Sequence, residues 1–254
     1  MLEIILYRCN IVTTLRMLQQ YYIRVKEWLY GSSPVSFLNS YETSLFLLQD
    51  QDGYVTNMTS SDLTARHVSS TEEYLQKASG SAMDFTKEQK ETIEGDVLQA
   101  SIFLKELETP WIEKELLRRI SWNIALTDGG YEEGLPHTRG KIIFLSPSYF
   151  RMSQEKRVGT MVHEWIHVYQ RQFREQFQSA LLAHGYKQWR VRKGYPRIRS
   201  NPDVDEFIYI HHTGKVMVSV YRNHTPTSIT DIIQPNELLE HPNEEIAYLI
   251  SQGV

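Results

Sequence analysis

Two histidines four residues apart, with a glutamate directly after the first, constrain this chain more than any other feature. They belong to the pentapeptide His163-Glu164-Trp165-Ile166-His167. In an α-helix, residues four apart lie on one face, so both imidazoles can reach the same tetrahedral metal ion. Glu164 lies about 100° round the helix from His163, so it is expected beside the metal and not among its ligands. The pattern therefore predicts a helix that binds Zn²⁺.

This combination of side chains is typical of amide hydrolysis. Zn²⁺ lowers the pKa of bound water from about 15.7 to roughly 7 and polarises a substrate carbonyl. A nearby glutamate can take the proton of that water and deliver it to the leaving amine. The leading hypothesis is a zinc-dependent metallopeptidase with Glu164 as general base and then general acid. The alternative is a catalytically inactive protein that keeps the fold, or the zinc, for a structural or binding role.

The sequence around the pentapeptide favours one long helix. Residues 154–162 and 168–173 contain no proline and repeat apolar side chains at helical spacing. Ser153 is expected to cap the start of this helix. A strand predicted at 141–145 precedes it closely.

Composition limits the remaining classes. With 254 residues, 41% hydrophobic and 23% charged, the chain resembles an ordinary globular protein. Cys9 is the single cysteine, which excludes an internal disulfide and a cysteine-rich zinc module. A net charge of −4 gives no general attraction to nucleic acid or anionic membranes. The sequence has neither a signal-peptide core nor an apolar run of about 18 residues, so an intracellular protein without a membrane span is expected.

The order of predicted elements indicates an α+β fold. We expect residues 1–80 to form a helical N-terminal region and residues 81–254 to form the metallopeptidase domain, with the polar stretch 59–81 as a linker. Helices are predicted at 4–30 (stopping at 31–34), 85–108, 111–120 and the C-terminus, strands at 122–127 and 141–145, and a hairpin at 207–211 and 215–221.

Two histidines leave a catalytic zinc site one protein ligand short. A metzincin pattern would require glycine at position 170 and histidine at position 173, where this chain has Gln170 and Phe173. The third ligand is therefore expected further along the chain.

The chain resembles the gluzincin group of zinc metallopeptidases in the pentapeptide and in residues 243–248, which read NEEIAY. In that group a glutamate on a later helix completes the metal site. The resemblance implies a zincin-like fold, with a small mixed sheet, an active-site helix and a C-terminal glutamate helix. It also implies one Zn²⁺ per chain, held by His163, His167 and Glu244. The other candidates for the third ligand are Glu245, Glu240, Glu206, Asp205, His184 and His211.

The same resemblance suggests where substrate would bind. Zincins present an edge strand just before the metal helix, along which an extended peptide lies. Here that strand would contain Ile142, Ile143 and Phe144, and the loop with His137 would border the cleft. A developing oxyanion needs a further donor, and the candidates for it, or for a supporting contact with the metal ligands, are Tyr248, His211, His137, His212 and Tyr221.

Residues 187–199 form the strongest basic cluster. Aromatic side chains alternate with cations there, in a pattern that suits a nucleic-acid backbone with stacked bases or an acidic peptide. A solvated surface loop is the favoured interpretation, so the expected partner is a peptide or protein substrate and not nucleic acid. The residues concerned are Lys187, Trp189, Arg190, Arg192, Lys193, Tyr195, Arg197 and Arg199.

Overall fold

The computed structural model of the chain describes residues 35–117 and 119–254. The opening helix predicted over 4–30, its stop at 31–34 and Cys9 lie outside the described residues. In the part that is described, the fold is a mixed α+β arrangement of helices and small sheets. None of the helices there combines the length and the apolar character that crossing a bilayer requires.

Helices occur before, between and after the strands along the chain. They are α1 (Ser40–Leu48), α2 (Ser60–Ala65), α3 (Thr71–Gly80), α4 (Lys87–Glu106), α5 (Lys114–Leu117), α6 (Gln154–Gln172), α7 (Arg174–Ala183) and α8 (Pro242–Ser251). The strands are β1 (Val35–Phe37), β2 (Ala82–Met83), β3 (Trp122–Thr127), β4 (His137–Arg139), β5 (Ile142–Leu145), β6 (Lys187–Val191), β7 (Phe207–Ile210), β8 (Val216–Met217), β9 (Val220–Tyr221) and β10 (Ile232–Ile233).

The main sheet has the strand order β1-β3-β5-β4. A fifth strand, β2, also pairs with β3 and lies outside this order. β1, β3 and β5 run parallel, whereas β2 and β4 are antiparallel to their neighbours. Strands from both sides of residue 80 thus share one sheet.

Alternate side chains of this sheet enter two different cores. On one face, Ile124, Ile143 and Leu145 pack with α4, α6 and α8 in the larger core. On the other face, Ala125 and Phe144 pack with α1 and α3. The helix that carries the pentapeptide, α6, therefore lies against one face only, and the helices before residue 80 cover the opposite face.

Most predicted elements around the sheet are confirmed. α4, β3, β5, α6 and α8 lie where the sequence places them. The hairpin is confirmed for β7 and β8, but β9 leaves it and pairs with β10 instead. The helix predicted over 111–120 is present only as the single turn α5.

The linker predicted over 59–81 is wrong, because this stretch forms α2 and α3. Thr59 and Ser70 cap the two helices through their side chains. Tyr74 and Ala78 are buried in the second core, and Asp62 is fully buried in an ion pair with Arg192. The polar character that suggested a linker comes from helix caps and from charges that are paired inside the fold.

The edge position predicted for the substrate strand is also wrong. Ile142, Ile143 and Phe144 belong to β5, which pairs with β3 on one side and with β4 on the other. Both of its hydrogen-bonding sides are therefore used within the sheet. The edge strand next to α6 is β4, a segment predicted to form a loop.

Candidate metal centre

α6 presents the two histidines of the pentapeptide one turn apart. The side chain of Ser153 caps the helix by accepting from the main-chain N–H of Lys156 at 3.4 Å. Apolar residues on the inner face of the helix, among them Met161, Val162 and Ile166, are fully buried in the larger core. This packing fixes the rotation of α6 about its axis, and so fixes the direction in which the histidines point.

Three potential ligand atoms converge between α6 and α8. The Nε2 atoms of His163 and His167 lie 3.1 Å apart. Glu244 on α8 places Oε2 at 3.4 Å from Nε2 of His163, and Oε1 at 3.8 Å from Nε2 of His167. Ligands at zinc distances in a tetrahedron are ~3.3 Å from each other. Two imidazole nitrogens and one carboxylate at this spacing fit a zinc ion, and the three residues form the only such group found among the described residues.

Gln170 fixes which nitrogen of His167 faces the cluster. Nδ1 of His167 lies 2.8 Å from Oε1 of Gln170, so Nδ1–H donates and Nε2 keeps its lone pair. The amide nitrogen of Gln170 donates in turn to the main-chain oxygen of Asn243 at 3.0 Å. Asn243 directly precedes Glu244, so a single side chain links the orientation of one candidate ligand to the helix that carries another.

Glu244 is held from the other side by Asn201. The amide nitrogen of Asn201 donates to Oε1 of Glu244 at 2.7 Å and to Oε1 of Glu240, also at 2.7 Å. Arg199 forms an ion pair with Glu240 behind this contact. The second oxygen of Glu244, Oε2, is the one that faces His163.

Glu164 lies beside the cluster with its carboxylate buried. Burial raises the pKa of Glu164 to about 7, although the positive charge of His163 and a hydrogen bond from Thr138 act in the opposite direction. The hydroxyl of Thr138, on β4, lies 2.9 Å from Oε2 of Glu164 and 3.1 Å from its main-chain oxygen. A carboxylate whose pKa lies near neutrality is suited to accepting and returning a proton.

Asp203 closes the edge of the sheet next to Glu164. The main-chain N–H of Thr138 points away from β5 and donates to Oδ1 of Asp203 at 2.5 Å. Burial raises the pKa of Asp203, and the negative charges of Glu164 and Glu244 add to the effect. The hydrogen-bond donor that a substrate strand would use on β4 is thus occupied by the chain itself.

The three potential ligands differ in their affinity for protons. Burial lowers the pKa of His167 to about 3. Burial also disfavours charge on His163, but the hydrogen bond and charge of Glu244 and the charge of Glu164 raise its pKa. For Glu244, burial is outweighed by the two imidazoles and by Arg199, which lower its pKa to about 2. The cluster therefore favours an ionised carboxylate with a cation next to it.

A cavity of about 470 Å³ opens onto this cluster. The polar part of its lining includes His163, Glu164 and Glu244. The apolar part includes Met152, Ile229 and Leu239. A volume of this size is typical of a small-molecule or side-chain binding site. Tyr248 stands at the rim, 48% exposed, with its ring centroid 4.5 Å from that of His163.

A strained turn supplies another wall of the cavity. Glu132 and Glu133 both have left-handed backbones, with φ of 44° and 55°. The Glu132 carboxylate is held by Arg66 through two hydrogen bonds of 2.7 Å, and it also accepts from the Tyr74 hydroxyl. Glu133 accepts from the main-chain N–H of Ile229 at 3.0 Å. These contacts stabilise a backbone that non-glycine residues rarely adopt.

The other candidates for the third ligand have partners elsewhere. Glu245 faces His211 and the Tyr186 hydroxyl, and Glu240 is paired with Arg199. The remaining pairs are Asp205 with His241, Glu206 with Arg174, His184 with the main-chain oxygen of Ala180, and His211 with Thr213. The structure brings none of them into the cluster of His163, His167 and Glu244.

The candidate oxyanion donors lie in different parts of the structure. The ring of His137 stacks on Phe144, on the sheet face opposite α6, although His137 borders the cavity. His211 and His212 pack against Tyr186, and the Tyr221 hydroxyl donates to buried Asp62 at 3.1 Å. Only Tyr248 contacts one of the candidate metal ligands through its ring.

Half of the cations in the basic segment serve the fold. Arg192 is buried against Asp62, Arg197 donates to the main-chain oxygen of Tyr221, and Arg199 pairs with Glu240. The exposed cations are Lys187, Arg190 and Lys193, and Arg190 lies over the ring of Trp189 at 4.4 Å. The segment therefore offers less free positive charge than its composition suggests.

Four residues of the site were not predicted from the sequence. Gln170 lies three positions after His167, so helical spacing could have identified it. Thr138, Asn201 and Asp203 come from an unpredicted strand and an irregular segment, where no periodic signal exists. No protein-family model, curated protein or solved structure matches the chain, so the chemistry of the site is judged from these side chains.

Proposed function

We propose that this protein is a zinc-dependent metallopeptidase. The observation that carries the proposal is the convergence of two imidazole nitrogens and one carboxylate oxygen within 4.8 Å of one another, beside a buried glutamate. His163, His167 and Glu244 would hold the ion. Zinc bound there would act as a Lewis acid on a carbonyl oxygen and make water easier to deprotonate.

The protein side chains supply the proton transfers. Glu164 accepts a proton from the attacking water, whose oxygen bonds to the carbonyl carbon of the substrate. The C–N bond then breaks, and Glu164 returns the proton to the amine nitrogen. Thr138 holds Oε2 of Glu164 in place during both transfers, and Tyr248, whose ring lies next to His163, would donate its hydroxyl hydrogen to the developing oxyanion.

The proposed way of binding substrate differs from the expectation drawn from the resemblance to gluzincins. β5 is internal to the sheet and the outward N–H of β4 is bonded to Asp203. Substrate would therefore be held mainly by the cavity between α6, α8 and the turn around Ile229, through its side chains and its reacting carbonyl.

The test combines metal content with cleavage. Zinc per chain is measured for the wild type, Glu164→Gln and Glu244→Ala, and the same preparations are assayed on a diverse peptide library. We expect one zinc in the wild type and in Glu164→Gln, loss of zinc in Glu244→Ala, and a fall in cleavage of about 10²–10⁴-fold in Glu164→Gln. Glu245→Ala is the matched control, because Glu245 is adjacent in sequence and faces His211 instead of the cluster.

Each outcome has a consequence. Zinc retained by Glu244→Ala would remove Glu244 from the ligand set. Stoichiometric zinc without cleavage of any peptide by the wild type would favour the alternative, a metal-holding structural or binding protein.

A further inference from the structure

Asn201 occupies an unusual position next to the candidate metal ligands. Its amide nitrogen has two hydrogens, and it lies 2.7 Å from an oxygen of Glu244 and 2.7 Å from an oxygen of Glu240. Its amide oxygen accepts from the main-chain N–H of Asp203 at 2.9 Å. Because that N–H can only donate, the amide orientation is determined and both hydrogens are directed at carboxylates.

The two carboxylates would repel each other without this amide. Glu240 is balanced by Arg199, two residues before Asn201, through a hydrogen bond of 3.1 Å and a shorter contact. Asn201 and Glu244 are 9% and 7% exposed, so water replaces little of this interaction. A buried charge-assisted hydrogen bond of this kind is worth more than a neutral one.

The geometry also divides the roles of the two oxygens of Glu244. Oε1 accepts from Asn201 and lies 3.8 Å from Nε2 of His167, whereas Oε2 lies 3.4 Å from Nε2 of His163. Rotation of the carboxylate would break the contact with Asn201, so the amide keeps Oε1 towards His167 and Oε2 towards His163.

We propose that Asn201 is a positioning residue for the metal centre: it fixes the orientation of the Glu244 carboxylate towards the two histidines and separates it from Glu240. This inference rests on the proposed zinc site. Partners that orient metal ligands typically change metal affinity 10–100-fold when they are removed.

The experiment measures metal affinity and coordination in the full chain, independently of peptide cleavage. Zinc dissociation constants are determined by chelator competition for the wild type, Asn201→Ala and Asn201→Leu, and the visible spectrum is recorded after loading with Co²⁺. We expect a dissociation constant about 10–100-fold higher in both variants, together with an altered Co²⁺ spectrum. Asn236→Ala is the control, because the Asn236 amide donates to the main-chain oxygen of Val216, and it should stay within about twofold of the wild type.

The leucine variant separates positioning from packing, because it fills the space without offering an N–H. Wild-type affinity and spectrum in Asn201→Leu would overturn the inference. If both variants fail to fold, Asn201→Ser is measured against the same criteria, since its one hydroxyl hydrogen can satisfy only one of the two carboxylates. A wild type that binds zinc without cleaving peptides would refute only the peptidase proposal, whereas a wild type that binds no zinc would refute both.

Discussion

Glu164 illustrates how single contacts set the chemistry of a buried side chain. Burial raises its pKa to about 7, and the hydroxyl of Thr138 opposes that shift by bonding to the ionised form. A general base must be ionised to act, so cleavage should fall as the pH drops through the pKa of Glu164. The bond from Thr138 would then extend the activity towards lower pH.

Thr138→Val tests this contact. The substitution keeps the shape but removes the donor, so the pKa of Glu164 should rise and the acid limb of the pH–rate profile should move to higher pH by about one unit. Zinc content should not change. Thr92→Val, which removes a comparable bond to Glu88 within α4, is the control and should leave the profile in place. An acid limb that does not shift, or that shifts to lower pH, would contradict the proposed effect of Thr138 on the pKa of Glu164.

Glu132 gives the fold itself a pH dependence. Burial disfavours its ionised form, but Arg66 lowers its pKa from 4.5 to about 2. The pKa of Glu132 in the folded state lies below its ordinary value. The ionised carboxylate therefore stabilises the folded state fully above about pH 4.5, and this stabilisation is lost as the pH falls towards 2. The difference corresponds to about 3 kcal/mol.

Glu132→Gln should therefore destabilise the protein at pH 7 by about 3–5 kcal/mol, because Arg66 would remain buried without its counter-charge. Below pH 4.5 the difference in the free energy of unfolding between the variant and the wild type should become smaller. Urea unfolding at several pH values measures both effects. Glu91→Gln, in an exposed pair with Lys87 at 3.7 Å, should change stability by less than about 0.5 kcal/mol. An equal loss at pH 3 and pH 7 would argue against the ion pair as the cause.

At the level of helices and strands, periodic segments are predictable and polar ones are not. α6 and α8 follow from apolar spacing and from Ser153 and Pro242 at their starts. α2 and α3 were missed because their stabilising partners, such as Arg192 for Asp62, are distant in sequence. The same reason explains the site: His163, Glu164, His167 and Glu244 lie on recognisable helices, whereas Thr138 lies on an unpredicted strand and Asn201 and Asp203 lie on irregular chain.

Ser70→Ala tests whether α3 depends on its cap. The Ser70 hydroxyl accepts from the main-chain N–H of Glu73 at 3.1 Å, and loss of such a cap costs about 1 kcal/mol. We expect that decrease in the free energy of unfolding in urea. Thr71→Ala, one position later, where the half-buried hydroxyl donates to the Glu72 carboxylate, should have an effect within about 0.5 kcal/mol. Equal effects of the two substitutions would mean that Ser70 does not act as a cap.

On the scale of the whole molecule, residues before and after position 80 are interdependent. β1 adds to the sheet through β3, and α1 and α3 cover Ala125 and Phe144. Buried ion pairs cross the same boundary, from Arg66 to Glu132 and from Arg139 to Asp50. The candidate metal centre is thus supported by a sheet whose second face is covered by the preceding residues.

A fragment of residues 81–254 should not fold on its own. It would expose the face of Phe144 and leave Glu132 and Arg139 without their partners. Circular dichroism and limited proteolysis of this fragment, compared with the full chain, provide the measurement. A compact, protease-resistant fragment that still binds zinc would show that the first 80 residues are dispensable for the fold.

The contact between Asp203 and Thr138 has a consequence for inhibitor design. Many peptidase inhibitors imitate an extended backbone and gain affinity by pairing with an open strand. Here that strand already has its outward N–H bonded to a buried carboxylate. For the proposed zinc peptidase, compact zinc chelators with one side group shaped to the cavity beside Met152 and Leu239 should therefore be better lead compounds than peptidomimetics.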